Sequence, residues 1–324
     1  MKESAEIWAL FKLLDDPDNE VFGAVSSKLL DYGKPIIPNL EHLWENSPDE
    51  QMQERIENII HRLHYNDLTE DFRQWALAGH HDLLVGSLLV SKFQYPDLTT
   101  SSVLLEVEKV RRNIWLELNA YLTPLEQIRI VTGILYSYYG LKGTEINHQE
   151  VNDFFIHKVL EAKRGNQLSC GIIYLLLCEL LDIPVKAIGI PKQFVLAYFK
   201  PGYGDEENKD FASRIEFYID PSSGMVFTHK DIESYFKRIS VPPVDAYFKP
   251  LSNKKVIQQL LEETARCFDS EKDGYKKDEL MKLAASDGCV SEFERLIGLT
   301  NQTLISTLSG RKLINSTNLD LSTK

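Results

Sequence analysis

Apolar residues recur at helical spacing through the first half of the chain and give way, after residue 184, to short β-branched runs. Val21, Phe22, Val25, Leu29 and Leu30 follow the acidic turn Asp16-Pro17-Asp18 and predict a helix. A second helix is expected after Lys34-Pro35 through Leu43 and Trp44, and a third after Ser47 or Asp49, either of which can cap it. Phe22 and Met52, Ser26 and Ile56, Leu29 and Ile59, and Leu30 and Ile60 each stand 30 residues apart. Such an offset arises when short helix pairs stack and bury their apolar stripes against one another. Further helices are expected at 70–78, 82–93, 101–119 and 124–139.

Residues 168–181 are apolar on nearly every side, with Ile172, Ile173, Leu175, Leu176, Leu177, Leu180 and Leu181 leaving no polar face. A helix of that kind has to be enclosed by neighbours. Three strands are expected next, at 185–190, 194–199 and 215–219, with a long exposed hairpin tip between the second and third. The turn Asp220-Pro221-Ser222-Ser223-Gly224 leads to a short strand at 225–227. A helix then begins at Thr228, with Asp231 placed to complete a capping box. Helices are expected again at 253–268, 275–286 and 292–298, before a tail from Asn301 rich in Ser, Thr and Asn. The fold class is therefore α+β, an all-helical lead followed by a buried helix packed on an antiparallel sheet. The expected organisation is a helical region at 1–66, a domain at 67–250 and C-terminal helices with a tail at 251–324.

Composition narrows the function. The 324 residues carry a formal net charge of -12, which repels phosphate backbones, and the densest basic runs, at 109–112 and 276–277, are interrupted by acids. No nucleic-acid partner is expected. No apolar run is long enough to span a bilayer, and the amphipathic opening segment lacks the pattern of a signal peptide, so a cytoplasmic protein without membrane partners is expected. Cys170, Cys178, Cys267 and Cys289 form neither a CxxC pair nor a zinc-ligand spacing. His80 and His81 are adjacent, so their side chains diverge, and no metal or cofactor is expected.

The first 65 residues, with DDPDNEV, an apolar stripe and KPIIPNLEHLW, resemble about one and a half HEAT-type repeats, which would supply a surface for protein contacts. A second resemblance begins near Thr123 and runs to Phe236. Asn152-Asp153-Phe154-Phe155, Val159-Leu160, Arg164-Gly165-Asn166, Ile172-Ile173-Tyr174, Leu181-Asp182-Ile183-Pro184 and Ile190-Pro191 occur in the order and at the spacing of the transglutaminase-like superfamily, in its bacterial SirB-type branch. That resemblance implies a papain-like core and a Cys-His-Asp triad. The thiolate would stand at the start of the buried helix, where the macrodipole and a His lower its pKa, and an Asp would orient the His.

Laid on this chain, the nucleophile's place falls on Gln167 and the His position, within Pro191-Lys192-Gln193-Phe194, on Gln193. Only the third position, Asp220, keeps its family residue. A carboxamide is neither nucleophile nor general base at neutral pH, so the resemblance implies a non-catalytic member that binds a protein or peptide. Asp220 also suits a structural role, bonding to backbone amides of its own turn. The alternative is a cysteine-dependent acyl transferase or protease using Cys170, three residues after Gln167, as a displaced nucleophile. His148 and His157 are the histidines that could serve it, though both precede the helix, and His229 is expected in the first turn of the helix that follows the last strand. Cys170 reads otherwise as a buried structural thiol.

Overall fold

The computed structural model describes residues 2–79, 81–200, 210–270 and 273–285. His80, Cys289, residues 201–209 of the expected hairpin tip, and the helix and tail expected beyond residue 291 lie outside the described residues.

Four helices open the chain: α1 (Lys2–Lys12), α2 (Asn19–Asp31), α3 (Ile37–Asn46) and α4 (Glu50–Leu77). Asp18 caps α2 through the amide of Glu20, and Asp49 caps α4 through that of Gln51, so the acidic turns do fix these helix starts. Leu14, Leu29, Leu40, Ile56 and Ile59 form a common core. The sequence pattern predicts a separate helix at 70–78, but α4 runs 28 residues without a break. Its apolar stripe changes partner along its length. Residues up to Leu63 face the N-terminal helices, whereas Leu68, Phe72 and Trp75 join the core of the remainder. The boundary expected between 66 and 67 thus falls inside one helix, at the place where its buried face passes from one core to the next.

Next come α5 (Leu83–Gln94), α6 (Thr100–Glu117) and α7 (Pro124–Thr132), the last started by a capping box between Thr123 and Glu126. The expected helix 124–139 does not continue as α: residues Gly133–Tyr138 form a π turn, in which the Tyr139 amide bonds to the Ile134 carbonyl at 2.7 Å. Strand β1 (Lys142–Thr144) follows, then α8 (Ile156–Ala162) and β2 (Arg164–Asn166), which pairs with β1 in parallel. Three-residue strands carry no readable alternation, and this pair was not expected from the sequence. The buried helix is α9 (Gln167–Glu179). An antiparallel sheet follows in the order β3 (Val185–Ile190), β4 (Gln193–Phe199), β5 (Ile215–Ile219) and β6 (Val226–Phe227), with the short α10 (Phe211–Arg214) leading into β5.

The sheet is covered on both faces, which explains why β4 is apolar at six successive positions. Phe194, Leu196 and Tyr198 join the α9 core, while Val195, Ala197 and Phe199 join Ile232 and Phe236 of α11 (His229–Ile239). Finally α12 (Asn253–Ala265) and α13 (Gly274–Ala285) pack together against the helical side. Polar ties bind them to earlier elements: His61 Nε2 lies 2.6 Å from Glu279, and His148 Nε2 lies 2.9 Å from Glu263. Among the described residues no helix is long and apolar enough to cross a membrane.

Close packing at one helix crossing gives a test. A Cβ on Gly86 of α5 would lie 2.7 Å from Ile257 and 2.8 Å from Trp75, whereas one on Gly23 of α2 would meet nothing within 4 Å. Alanine is favoured over glycine inside a helix by roughly 1 kcal/mol, and overpacking costs about 1–3 kcal/mol. Gly23→Ala should therefore raise the urea midpoint, while Gly86→Ala should lower stability by about 1 kcal/mol.

Candidate functional site

Asn166 fixes the start of α9. Its Oδ1 accepts from the amides of Leu168 and Ser169, both at 3.0 Å, so two of the unpaired donors at the helix start are met by a side chain that is itself fully buried. Gln167 is consequently the first helical residue and stands half-exposed at the rim. Across from it, Gln193 opens β4 just after the hairpin residues Pro191 and Lys192. Lys192 holds φ at 64°, a left-handed conformation that a glycine would adopt with less strain. The Gln167 amide nitrogen donates to the Gln193 carbonyl oxygen at 3.1 Å. Helix start and strand start are thus joined by a carboxamide pair at the protein surface.

Asp220 follows β5 and opens its turn. Its carboxylate accepts from the Ser222 amide at 2.9 Å, the Ser222 hydroxyl at 2.8 Å and the Ser223 hydroxyl at 2.6 Å. No hydrogen bond joins it to Gln167 or Gln193 among the described residues. Its carboxylate is spent on the local turn. The turn nevertheless sits against the same helix, because a Cβ on Gly171 would lie 2.9 Å from Pro221 Cβ and 2.6 Å from the Phe194 ring. Helix, strand and turn meet at Gly171, where no larger residue fits. On the outer side the turn is held by β1, whose Gly143 abuts Ser222, and by Tyr136, whose hydroxyl donates to the Pro221 carbonyl at 2.6 Å. Tyr136 reaches that carbonyl from the π turn, a local geometry with no readable sequence signal.

Cys170 lies one turn inside α9 with no exposed surface. Burial pushes its thiol up to about 12, and the neighbouring carboxylates of Asp153 and Asp220 push the same way. The histidines are occupied elsewhere. His148 pairs with Glu263 and stacks on Phe154, and His229 lies between the Tyr218 hydroxyl and the Ile215 carbonyl. His157 is wedged against the rings of Tyr95 and Phe155, its Nδ1 buried without a partner among the described residues, and burial lowers its pKa to about 4. Cys178 is buried and Cys267 half-buried. His81 Nε2 donates to the Ala76 carbonyl, 3.1 Å away, and the ring stands edge-on to Trp75. Among the described residues no group of three or more His, Cys, Asp or Glu side chains could hold a metal ion.

Two outcomes follow from these environments. Iodoacetamide at neutral pH should leave Cys170 unmodified in the folded protein and alkylate it only after unfolding, as peptide mass spectrometry would show. His157 binds its proton more weakly folded than unfolded, so between pH 6.5 and about 4 the unfolded chain takes up more protons and stability falls as the pH drops. His157→Phe should flatten that decline by on the order of 1 kcal/mol, allowing for solvent screening of a half-buried ring.

Comparison with known proteins gives the family. A model of the transglutaminase-like superfamily matches residues 101–262, from the start of α6 to near the end of α12. The protein SirB1 of Salmonella typhimurium is 23% identical over 186 residues, covering 55% of this chain and 63% of SirB1, and SirB1 of Salmonella typhi matches equally. The UPF0162 protein BU173 of Buchnera aphidicola is 20% identical over 169 residues, covering 51% of this chain and 59% of that protein. The chain therefore spans less than two thirds of the length of these relatives. No solved structure matches it. With half of its length matched by the family pattern, and SirB-type proteins among its relatives, the chain belongs to the transglutaminase-like superfamily.

Proposed function

We propose that this protein is a non-catalytic member of its superfamily that binds a protein or peptide partner at the surface around Gln167 and Gln193, with the N-terminal helices, read as HEAT-like, offering a second protein-contact surface. The observation that carries the reading is the 3.1 Å hydrogen bond between the two glutamines, which stand where the family resemblance puts the nucleophile and the base. A carboxamide offers no ionisable group near neutral pH, so neither attack nor proton shuttling is available to the pair. Each amide uses only part of its capacity on the other. Among the described residues no group bonds to the Gln167 carbonyl oxygen or the Gln193 amide nitrogen, and that acceptor and donor complement the N–H and C=O of a peptide backbone. Nucleic acid and membrane are not proposed as partners, in view of the -12 net charge.

The competing reading, acyl transfer or proteolysis through Cys170, requires a thiolate in a place where burial and two carboxylates oppose one. Purified protein should show amine incorporation into casein and cleavage of unfolded peptides only at background. Activity that disappears in Cys170→Ala, with the circular-dichroism spectrum unchanged, would make the protein an enzyme and sink the proposal. Binding has its own test. A photo-crosslinker introduced at Gln193 should trap a discrete protein or peptide species that the same crosslinker at exposed Glu216 does not, and equal yields at both positions would count against the site.

A further inference from the structure

The other end of α9 opens on a cavity of about 400 Å³, within the range of small-molecule sites. It lies about 20 Å from the glutamine pair, the length of the helix. Its buried depth is apolar, formed by Leu83, Leu176 and Ile183, with Pro184 beside them. Polar groups line the rest of the cavity. Glu179 is held by Lys186 Nζ at 3.2 Å and by Asn253 Nδ2 at 3.1 Å, so the lysine's charge is already matched.

Asp82 and Asp182 remain, exposed at the cavity, and neither has an ion-pair partner among the described residues. Both are rigidly placed. Asp82 caps α5 through the Val85 amide while its own carbonyl accepts from Trp75 Nε1, and Asp182 sits at φ 55° in the turn leaving α9. The C-terminal end of α9 adds partial negative charge, with no basic residue in its last turn. A metal ion does not suit the cavity, because these carboxylates do not converge as a ligand group.

We propose that this cavity binds a small organic cation, a primary amine carried on an apolar body. The hydrocarbon fills the space over Leu83, Leu176 and Ile183, and the ammonium group lies at the rim that Asp82 and Asp182 line. The site is independent of the glutamine pair, so either proposal can fail without the other.

The test is calorimetric titration of the full chain with 2-phenylethylamine and, in parallel, its neutral isostere 2-phenylethanol. The amine should bind saturably and the alcohol on the order of tenfold more weakly, since only the amine gains from the two carboxylates. Asp82→Asn and Asp182→Asn preserve capping and left-handed preference, so both variants should fold. Combined, they should reduce amine affinity on the order of tenfold while leaving that for the alcohol unchanged. Glu216→Gln, which removes an exposed carboxylate of β5 that does not line the cavity, should bind the amine as wild type does. Absence of saturable amine binding, equal affinity for amine and alcohol, or an equal loss in Glu216→Gln would each overturn the assignment.

Discussion

From Leu168 through Cys178 every side chain of α9 is out of water, and the burial of this helix on all sides is the condition the surrounding structure meets. Each large apolar side chain taken from water contributes about 1.5–3 kcal/mol, but only if neighbours close around it. Those neighbours arrive from separate parts of the chain: α5 and α6 from before it, α8 and β2 immediately ahead, β3 and β4 after it, and α12 from near the end. Tightness of the enclosure shows at Gly171, where a methyl group would collide with both Phe194 and Pro221. Because β4 and the Asp220 turn are pressed onto the helix at that point, the relative positions of residues 167, 193 and 220 follow from packing. No chemistry among the three is needed to hold them there.

Much of this was legible because apolar periodicity reports burial directly. The four strands of the sheet lie within a residue or so of the β-branched runs, and α9 lies where the text loses its polar face. What could not be read depends on long-range fit. Helix α4 looks interrupted near Tyr65, because its stripe shifts as it leaves one core for another, yet the backbone has no reason to break there. The β1–β2 pairing rests on three residues in each strand, and the π turn on the six residues Gly133–Tyr138. Neither leaves a period to detect. At the candidate site, adjacency of residues 167 and 193 was implied by family resemblance, whereas the direction of each hydrogen bond, and the turn-bound state of Asp220, required coordinates.

The two ends of α9 also show why position along one helix decides what a side chain can do. Residue 167 is at the rim, next to amides that Asn166 only partly satisfies and within reach of β4, so a thiol there would feel both the helix dipole and whatever stands at 193. Residue 170 is one turn deeper. Its solvent is gone, the nearest charges are the carboxylates of Asp153 and Asp220, and each of these influences favours the protonated thiol. A shift of three residues, about 4.5 Å along the axis, thus exchanges an environment suited to a nucleophile for one suited to a core side chain. A displaced nucleophile at Cys170 would need more than a nearby base; the helix would have to unwind its first turn and give up the Asn166 cap, worth about 1 kcal/mol, together with the packing around Leu168. Glutamines at 167 and 193 give the rim hydrogen-bonding capacity without a group that ionises near neutral pH, which is the physical basis for the proposal that this surface binds a partner.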